Sequence, residues 1–122
     1  MTALLTTQER ETLLPALDAT GWRAAEDQDA IRKIWKFRSF SEAWGFMTRA
    51  ALAAERANHH PDWSNRYNIV DVTLTTHDAK GLTALDTGLA KKLDRLAPEA
   101  TVITDHGQPA LSLCEARAQS RP

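Results

Sequence analysis

Apolar residues spaced three and four positions apart predict three helices in this chain. The first runs from about residue 7 to 19, where three leucines form an apolar stripe after a threonine N-cap at Thr6 or Thr7. Pro15 lies inside this stretch, and an interior proline loses a hydrogen bond and clashes with the preceding turn. We therefore expect this helix to be short or kinked and to end before Gly21.

The other two helices carry clearer start signals. The second, the strongest helix pattern in the chain, runs from about residue 40 to 58, and Ser39 and Glu42 precede it with the spacing of a capping box. Thr83 and Asp86 repeat that spacing, so a third helix is predicted from there to the next proline. In that position Asp86 also complements the helix dipole.

Alternation of apolar and polar residues predicts the strands. Residues 22–26 and 31–38 form a predicted hairpin in which Ile31, Trp35 and Phe37 share one face. A longer alternating stretch covers residues 67–77 and ends at His77, which points away from the core face. Short strands are also predicted at 101–103 and 110–114, with a turn at 105–109 between them and a polar tail after them.

Length and charge narrow the class of protein. A chain of 122 residues fits one domain, and 15 basic against 16 acidic residues leave a net charge of -1. The charges alternate in sign, which disfavours binding to nucleic acid. No apolar run approaches the roughly 20 residues of a membrane span, and no signal peptide is evident. We expect a cytoplasmic protein without a membrane partner, in which the single cysteine, Cys114, is an inert side chain.

Three of the four histidines fall within nineteen residues of one another, at His59, His60 and His77. Histidine titrates near neutral pH, so such a group indicates either proton transfer or a metal site. Pro61 biases the residue before it away from helical dihedrals, so the second helix should end near Asn58 or His59. Both rings then leave a helix-to-loop junction, and His77 joins them if its strand ends on the same side.

Competing interpretations of these residues remain open. Three histidines can hold zinc, but adjacent histidines are poorly placed to bind one ion and no metal-binding motif is present, so we expect no metal. A purely structural role for each histidine is the other alternative, and it is the favoured one for His106. Among neighbours, Glu55 is placed to hold His59 from one turn earlier, and Asp86 to orient a histidine besides capping its helix. For Trp63, packing is favoured over ligand stacking.

In this order and spacing the residues resemble the pterin-4a-carbinolamine dehydratase family. The similarity covers roughly residues 8 to 97. The matching positions are Leu13-Leu14-Pro15, Gly21-Trp22, Asp29-Ala30-Ile31, Phe37, Phe40, Gly45-Phe46-Met47-Thr48-Arg49, Ala54-Glu55, His59-His60-Pro61, Trp63, Tyr67, Thr76-His77, Gly81-Leu82 and Asp86.

The resemblance implies an α+β fold, in which three helices pack on one face of a four-stranded antiparallel sheet. It implies a dehydratase-like domain at residues 1–100 and leaves 101–122 as a C-terminal extension. It also implies subunits that pair into homodimers or homotetramers, and a reaction that needs neither cofactor nor metal: a 4a-hydroxytetrahydropterin such as 4a-hydroxytetrahydrobiopterin loses water to give the quinonoid dihydropterin. An acid beside the departing oxygen and a base beside nitrogen 5 suffice.

Carried over to matching positions, the family site makes His59 and His77 the principal acid and base. His60 would hold the pterin and serve the other stereoisomer at carbon 4a. From their own positions in the chain, we expect Glu55, Trp63 and Asp86 to support the site. Position 58 is often aspartate in relatives, so the asparagine here removes a charge. The implied substrate contacts are Asn58, His59, His60, Thr75, Thr76, His77 and Asp78.

Two alternatives to this function follow from the same resemblance. Some relatives act as dimerisation partners of a transcription factor through a helical surface, so a binding module that uses the apolar face of residues 40–57 is one alternative. A related pterin role in molybdenum-cofactor metabolism is the other.

Overall fold

The computed structural model describes residues 2–107, which form an α+β fold as predicted. Three helices accompany one antiparallel sheet, and a short 3-10 turn at His77–Ala79 precedes the last helix. The helices are α1 (Thr7–Asp18), α2 (Phe40–Ala57) and α3 (Ala84–Leu96), and the strands are β1 (Arg23–Ala24), β2 (Ile31–Lys36), β3 (Asp62–Arg66), β4 (Ile69–Leu74) and β5 (Thr101–Ile103).

The sheet has the strand order β1-β2-β4-β3. β1 and β5 lie on the same edge of β2, where β1 pairs with its first residues and β5 with its last. Within residues 2–107 the sheet therefore contains five strands, where the family resemblance implied four. The strand predicted at 101–103 is confirmed, and its pairing with β2 supplies the additional strand. The strand predicted at 110–114 lies outside the described residues.

The hydrophobic core lies between the helices and one face of β2 and β4. Trp35 stands at its centre, with Trp22 edge-on at 5.5 Å between ring centroids and Phe46 of α2 at 4.9 Å. Ile31 and Phe37 reach the same core, as the hairpin pattern predicted. Aromatic rings in such tilted and edge-on contacts stabilise a core beyond the area they bury.

The predicted helix boundaries hold to within about a residue, because each helix has a local start signal. Thr6 accepts a hydrogen bond from Glu9 N–H, Ser39 accepts one from Glu42 N–H, and Thr83 forms a capping box with Asp86. The first helix continues through its interior proline to Asp18. No helix among residues 2–107 is long and apolar enough to cross a bilayer.

The strand predictions need three corrections. Residues 22–26 and 31–38 form a hairpin as predicted, but its strands are only Arg23–Ala24 and Ile31–Lys36. The predicted strand at 67–77 is limited to Ile69–Leu74, because Tyr67 adopts a left-handed φ of 51° before it and the chain turns after it. The strand β3 was not predicted at all, since this polar edge strand has no apolar alternation of its own.

Candidate active site

Two of the three clustered histidines leave the end of α2 through a Schellman turn. Asn58 adopts the left-handed conformation (φ 50°, ψ 43°) that asparagine tolerates better than most residues. The N–H of His59 then donates to the carbonyl of Ala54 at 3.0 Å, and the N–H of Asn58 donates to that of Glu55 at 3.1 Å. This turn ends the helix and fixes the backbone positions from which the rings of His59 and His60 project.

The third histidine lies in a closed loop, not at the end of a strand. Thr76 and Gly81 exchange two backbone hydrogen bonds, and the 3-10 turn at His77–Ala79 lies between them. The prediction of His77 as the last residue of a strand is therefore wrong, because the chain has already left the sheet. Gly81 permits the close approach of Asp29, since a Cβ at this position would lie 2.3 Å from its Oδ2.

These two segments meet around one cavity of about 320 Å³. All seven residues predicted to contact substrate line it, so the helix exit and the loop come together as the sequence suggested. Two lining residues, Thr2 and Leu85, were not anticipated. The N-terminal segment reaches the site because Leu5 N–H donates to the carbonyl of Leu82 at 2.9 Å, a tertiary contact with no local sequence signal.

A buried hydrogen-bond network supports the innermost histidine. His59 Nε2 lies 2.5 Å from Oδ1 of Asp86, and the carboxylate of Asp86 is fully buried. Oδ2 of Asp86 accepts hydrogen bonds from the hydroxyl of Thr76 at 2.8 Å and from the backbone N–H of Thr83 at 2.9 Å. Asp86 thus both caps α3 and holds a histidine, so the two roles considered for it coexist.

The other two histidines pair with carboxylates in exposed positions. His60 Nε2 lies 2.8 Å from Oε1 of Glu55. The prediction that Glu55 holds His59 is therefore wrong. The Schellman turn changes the direction of the chain, so the ring of His60 lies beside Glu55 in place of that of His59. His77 Nε2 lies 3.3 Å from Oδ2 of Asp62, the first residue of β3. Sequence reasoning did not identify Asp62, because its strand was missed.

Two candidates lie away from this cavity. Trp63 is half-buried on β3 and packs against the hydrophobic core, which is the packing role favoured for it. His106 lines a different cavity with Arg32. Burial and the positive charge of Arg32 lower the pKa of His106 below its ordinary value. No cluster of three or more histidine, cysteine, aspartate or glutamate side chains that could hold a metal occurs among residues 2–107.

The loop that carries His77 is supported from behind by an ion pair. The guanidinium of Arg10 on α1 binds both carboxylate oxygens of Asp29 at 2.8 Å. Asp29 Oδ2 also accepts a hydrogen bond from Leu82 N–H, and its carbonyl accepts one from the hydroxyl of Thr75. The hydrogen bond from Arg10 lowers the pKa of Asp29 below its ordinary value. Asp29, in the turn between β1 and β2, thereby binds the loop that carries His77 on both sides, at Thr75 and at Leu82.

The arrangement is suited to moving protons on a small ligand. Three imidazoles surround one cavity, and each has a carboxylate partner that can orient it or stabilise its positive charge. A cavity of about 320 Å³ falls at the lower end of the range found for small-molecule sites. Backbone and side-chain groups of the loop at 75–78 offer polar contacts along its edge.

Comparison with known proteins gives consistent matches. Residues 3–96 match the family profile described as "Pterin 4 alpha carbinolamine dehydratase". A protein of Roseobacter denitrificans named "Putative pterin-4-alpha-carbinolamine dehydratase" is 52% identical over 97 residues, which are 80% of this chain and 99% of that protein.

Solved structures agree with these sequence matches. A structure titled "transcriptional coactivator/pterin dehydratase" from Brucella melitensis has a TM-score of 0.72 and 48% identity, and the match covers 77% of this chain and 98% of that one. A pterin dehydratase-like protein identified as a RuBisCO assembly factor has a TM-score of 0.56 and 23% identity over 63% of this chain and 89% of its own. The second match shows the fold alone.

Proposed function

The chain belongs to the pterin 4 alpha carbinolamine dehydratase family, and on that basis we propose that it removes water from a 4a-hydroxytetrahydropterin by histidine acid–base catalysis. The observation that carries this proposal is the convergence of His59, His60 and His77 on one cavity of ligand size. The physiological substrate that we propose is 4a-hydroxytetrahydrobiopterin, in the recycling of tetrahydrobiopterin.

The reaction requires two proton movements and no change of oxidation state. An acid protonates the hydroxyl on carbon 4a, the carbon–oxygen bond breaks and water leaves. A base takes the proton from nitrogen 5, and the electron pair of that nitrogen–hydrogen bond forms the double bond between nitrogen 5 and carbon 4a. Imidazole serves in either role near neutral pH, and positioned acid–base groups typically contribute about 10²–10⁴-fold in rate.

We assign His59 and His77 as the principal acid–base pair, because they line the cavity from two different chain segments. A pterin between them would have one imidazole near each reacting side. His60 lies beside His59 at the helix exit and would hold the ring system. Asn58 and residues 75, 76 and 78 would contact the amide-like edge of the heterocycle. The mechanism uses side chains alone, with no metal or cofactor.

The direct test generates the 4a-carbinolamine in situ with an aromatic amino-acid hydroxylase and follows quinonoid formation by ultraviolet absorbance. We expect the protein to accelerate this step, and His59→Ala and His77→Ala to lose the acceleration while they keep the folded circular dichroism spectrum. His106→Ala is the matched control, since that histidine lines another cavity. No acceleration by the wild-type protein would refute the proposal.

A specific observation favours a second, binding function. Phe40, Trp44 and Leu52 are exposed and lie at multiples of four residues along α2, where they form an apolar stripe that the exposed Thr48 interrupts. An exposed stripe of this kind fits a subunit or partner interface. We propose that it forms the contact in a homodimer or homotetramer, or docks a partner protein as the coactivator title of the Brucella relative suggests.

Substitution on the helix separates the two functions. Trp44→Ser combined with Leu52→Ser should lower the mass measured by light scattering, or abolish partner binding, and leave the histidine cavity intact. His77→Ala should abolish the dehydratase activity and leave the mass and the partner binding unchanged. If the double variant kept the same mass and every partner contact, the stripe would not be an interface.

A further inference from the structure

The network behind His59 extends beyond Asp86 to two hydroxyl groups that the proposed mechanism does not use. The hydroxyls of Thr76 and Thr83 lie 2.7 Å apart, and that of Thr76 donates to Asp86 at 2.8 Å. Thr83 is fully buried, and Thr76 is 7% exposed. Thr76 lines the cavity, yet its hydroxyl is directed inward to the carboxylate and not to the ligand space.

The hydrogen-bond pattern fixes the direction of each donor. Asp86 accepts the backbone N–H of Thr83 in the first turn of α3, where the helix dipole favours a negative charge. An ionised carboxylate only accepts, and a hydroxyl has one proton to donate. Thr76 therefore donates to Asp86, and Thr83 donates to the oxygen of Thr76. Thr83 Oγ1 in turn accepts Leu85 N–H at 3.2 Å.

The same rule determines which ring nitrogen of His59 carries the proton. An ionised Asp86 can only accept, which makes Nε2 of His59 the N–H donor across the 2.5 Å contact. Nδ1 is then the nitrogen with a free electron pair in the neutral ring. Among residues 2–107, Oδ1 of Asn68 is the one fully buried side-chain polar atom without a hydrogen-bond partner. Nδ1 of His59 is therefore not a buried atom that lacks a partner, and it is not sealed in the core.

We propose that Thr76 and Thr83 are positioning residues whose hydroxyls hold Asp86 so that His59 keeps its proton on Nε2 and exchanges protons with the substrate through Nδ1. This inference rests on the proposed function, and it adds a role for the hydroxyl of Thr76 to the predicted substrate contact. Its backbone can contact the pterin, but its hydroxyl acts on the substrate through Asp86 and His59.

The test compares Thr76→Val, which removes the donor at nearly equal volume, with Thr76→Ser, which keeps it. Proton and nitrogen-15 NMR of ring-labelled histidine reports the Nε2–H of His59 as a downfield resonance. We expect Thr76→Val to shift or broaden this resonance and to lower kcat about tenfold, comparable to the loss of one hydrogen bond to a charged group, with KM within about twofold. Thr76→Ser should restore both the resonance and kcat.

Thr87→Val is the matched control, because Thr87 is a buried threonine of α3 whose hydroxyl donates to the carbonyl of Ala84 and not to Asp86. It should leave both readouts unchanged. An unchanged resonance and kcat in Thr76→Val would overturn the proposal, as would an effect on KM alone or a serine variant as impaired as valine. If Thr76→Val does not fold, Thr76→Ala, which also lacks the hydroxyl, takes its place and the same outcomes apply. A wild-type protein without dehydratase activity would refute the proposed function, while the NMR spectra would still test the tautomer.

Discussion

The two ends of the cavity hold their histidines in opposite ways. At the inner end, the side chain of His59 is 9% exposed and contacts Asp86, which is 0% exposed. At the outer end, the side chains of His77 and Asp62 are 72% and 57% exposed, and their contact is longer, at 3.3 Å. The first pair is part of a closed network, whereas the second is surrounded by solvent.

This difference determines what each histidine can contribute. A buried pair interacts in a medium of low effective dielectric constant, so its geometry is set before any ligand arrives. An exposed pair is weakened by water and by salt, and its ring can change rotamer at little cost. The cavity therefore combines one fixed imidazole with one that adjusts to the ligand, and substitutions at the two ends should differ in size and in salt dependence.

Removal of the fixed imidazole should have the largest effect. We expect His59→Ala to lower kcat about 10²–10³-fold, because a positioned acid–base group is lost and Asp86 is left without its donor. The assay is the coupled quinonoid measurement, and His106→Ala should remain at the wild-type rate. A loss of less than about tenfold would place the principal proton transfer elsewhere.

Asp86→Asn should impair both activity and stability. An amide in this position turns one accepting oxygen into a donor that faces other donors, so we expect kcat to fall about 10²-fold and the free energy of unfolding to fall by about 1–3 kcal/mol. Urea denaturation measures the second effect. Asp105→Asn, in an exposed turn, serves as the control. If Asp86→Asn retained wild-type activity, the buried network would have no role in catalysis.

At the outer end, Asp62→Asn should have a small effect that depends on salt. Exposed ion pairs are typically worth about 0.2–1 kcal/mol, so we expect kcat to fall by less than about fivefold at low ionic strength. The difference from wild type should shrink in about 1 M salt, where charges are screened within about 3 Å. The deficit of Asp86→Asn should persist there. An equal response of both variants to salt would remove the distinction between the two ends.

The smallest effect concerns the ion pair behind the loop. The pKa of Asp29 is lowered, chiefly by the hydrogen bond from Arg10, so the pair stabilises the fold above the ordinary carboxyl pKa near 3.8 and loses this contribution as the pH falls through the lowered value. We expect Arg10→Met to be destabilised by about 1 kcal/mol or less at pH 7, and the deficit to shrink once the pH falls below the ordinary carboxyl value. Thermal unfolding at pH 7 and near pH 3 measures both. A deficit that grew in acid would contradict this sign.

Local signals account for what the sequence predicted well. The capping boxes at Thr6 and Thr83 and the serine cap at position 39 act within a few residues, so they fix the starts of the helices. The run from Asn58 to Pro61 ends α2 by the same kind of short-range chemistry. The positions of His59 and His60 were therefore predictable, and so was a histidine partner for Asp86, whereas the pairing of Glu55 with His60 was not.

The features that the sequence did not predict depend on tertiary contacts. The edge strand β3 is defined by pairing with β4 and not by its own polar residues, so Asp62 was missed as the partner of His77. Thr2 lines the cavity only because the N-terminal segment pairs with the loop before α3. Glu55 contacts His60 and not His59 because the left-handed turn at Asn58 lies between Glu55 and the two histidines.

The most direct test of the account is an NMR titration with 7,8-dihydropterin, a stable bicyclic analogue without the 4a-hydroxyl. The ring proton resonances of His59, His60 and His77 should shift along one saturation curve with a common Kd, whereas those of His106 should not move. A pterin that bound without affecting the three clustered rings, or that shifted His106 instead, would contradict the central claim that these imidazoles surround the substrate.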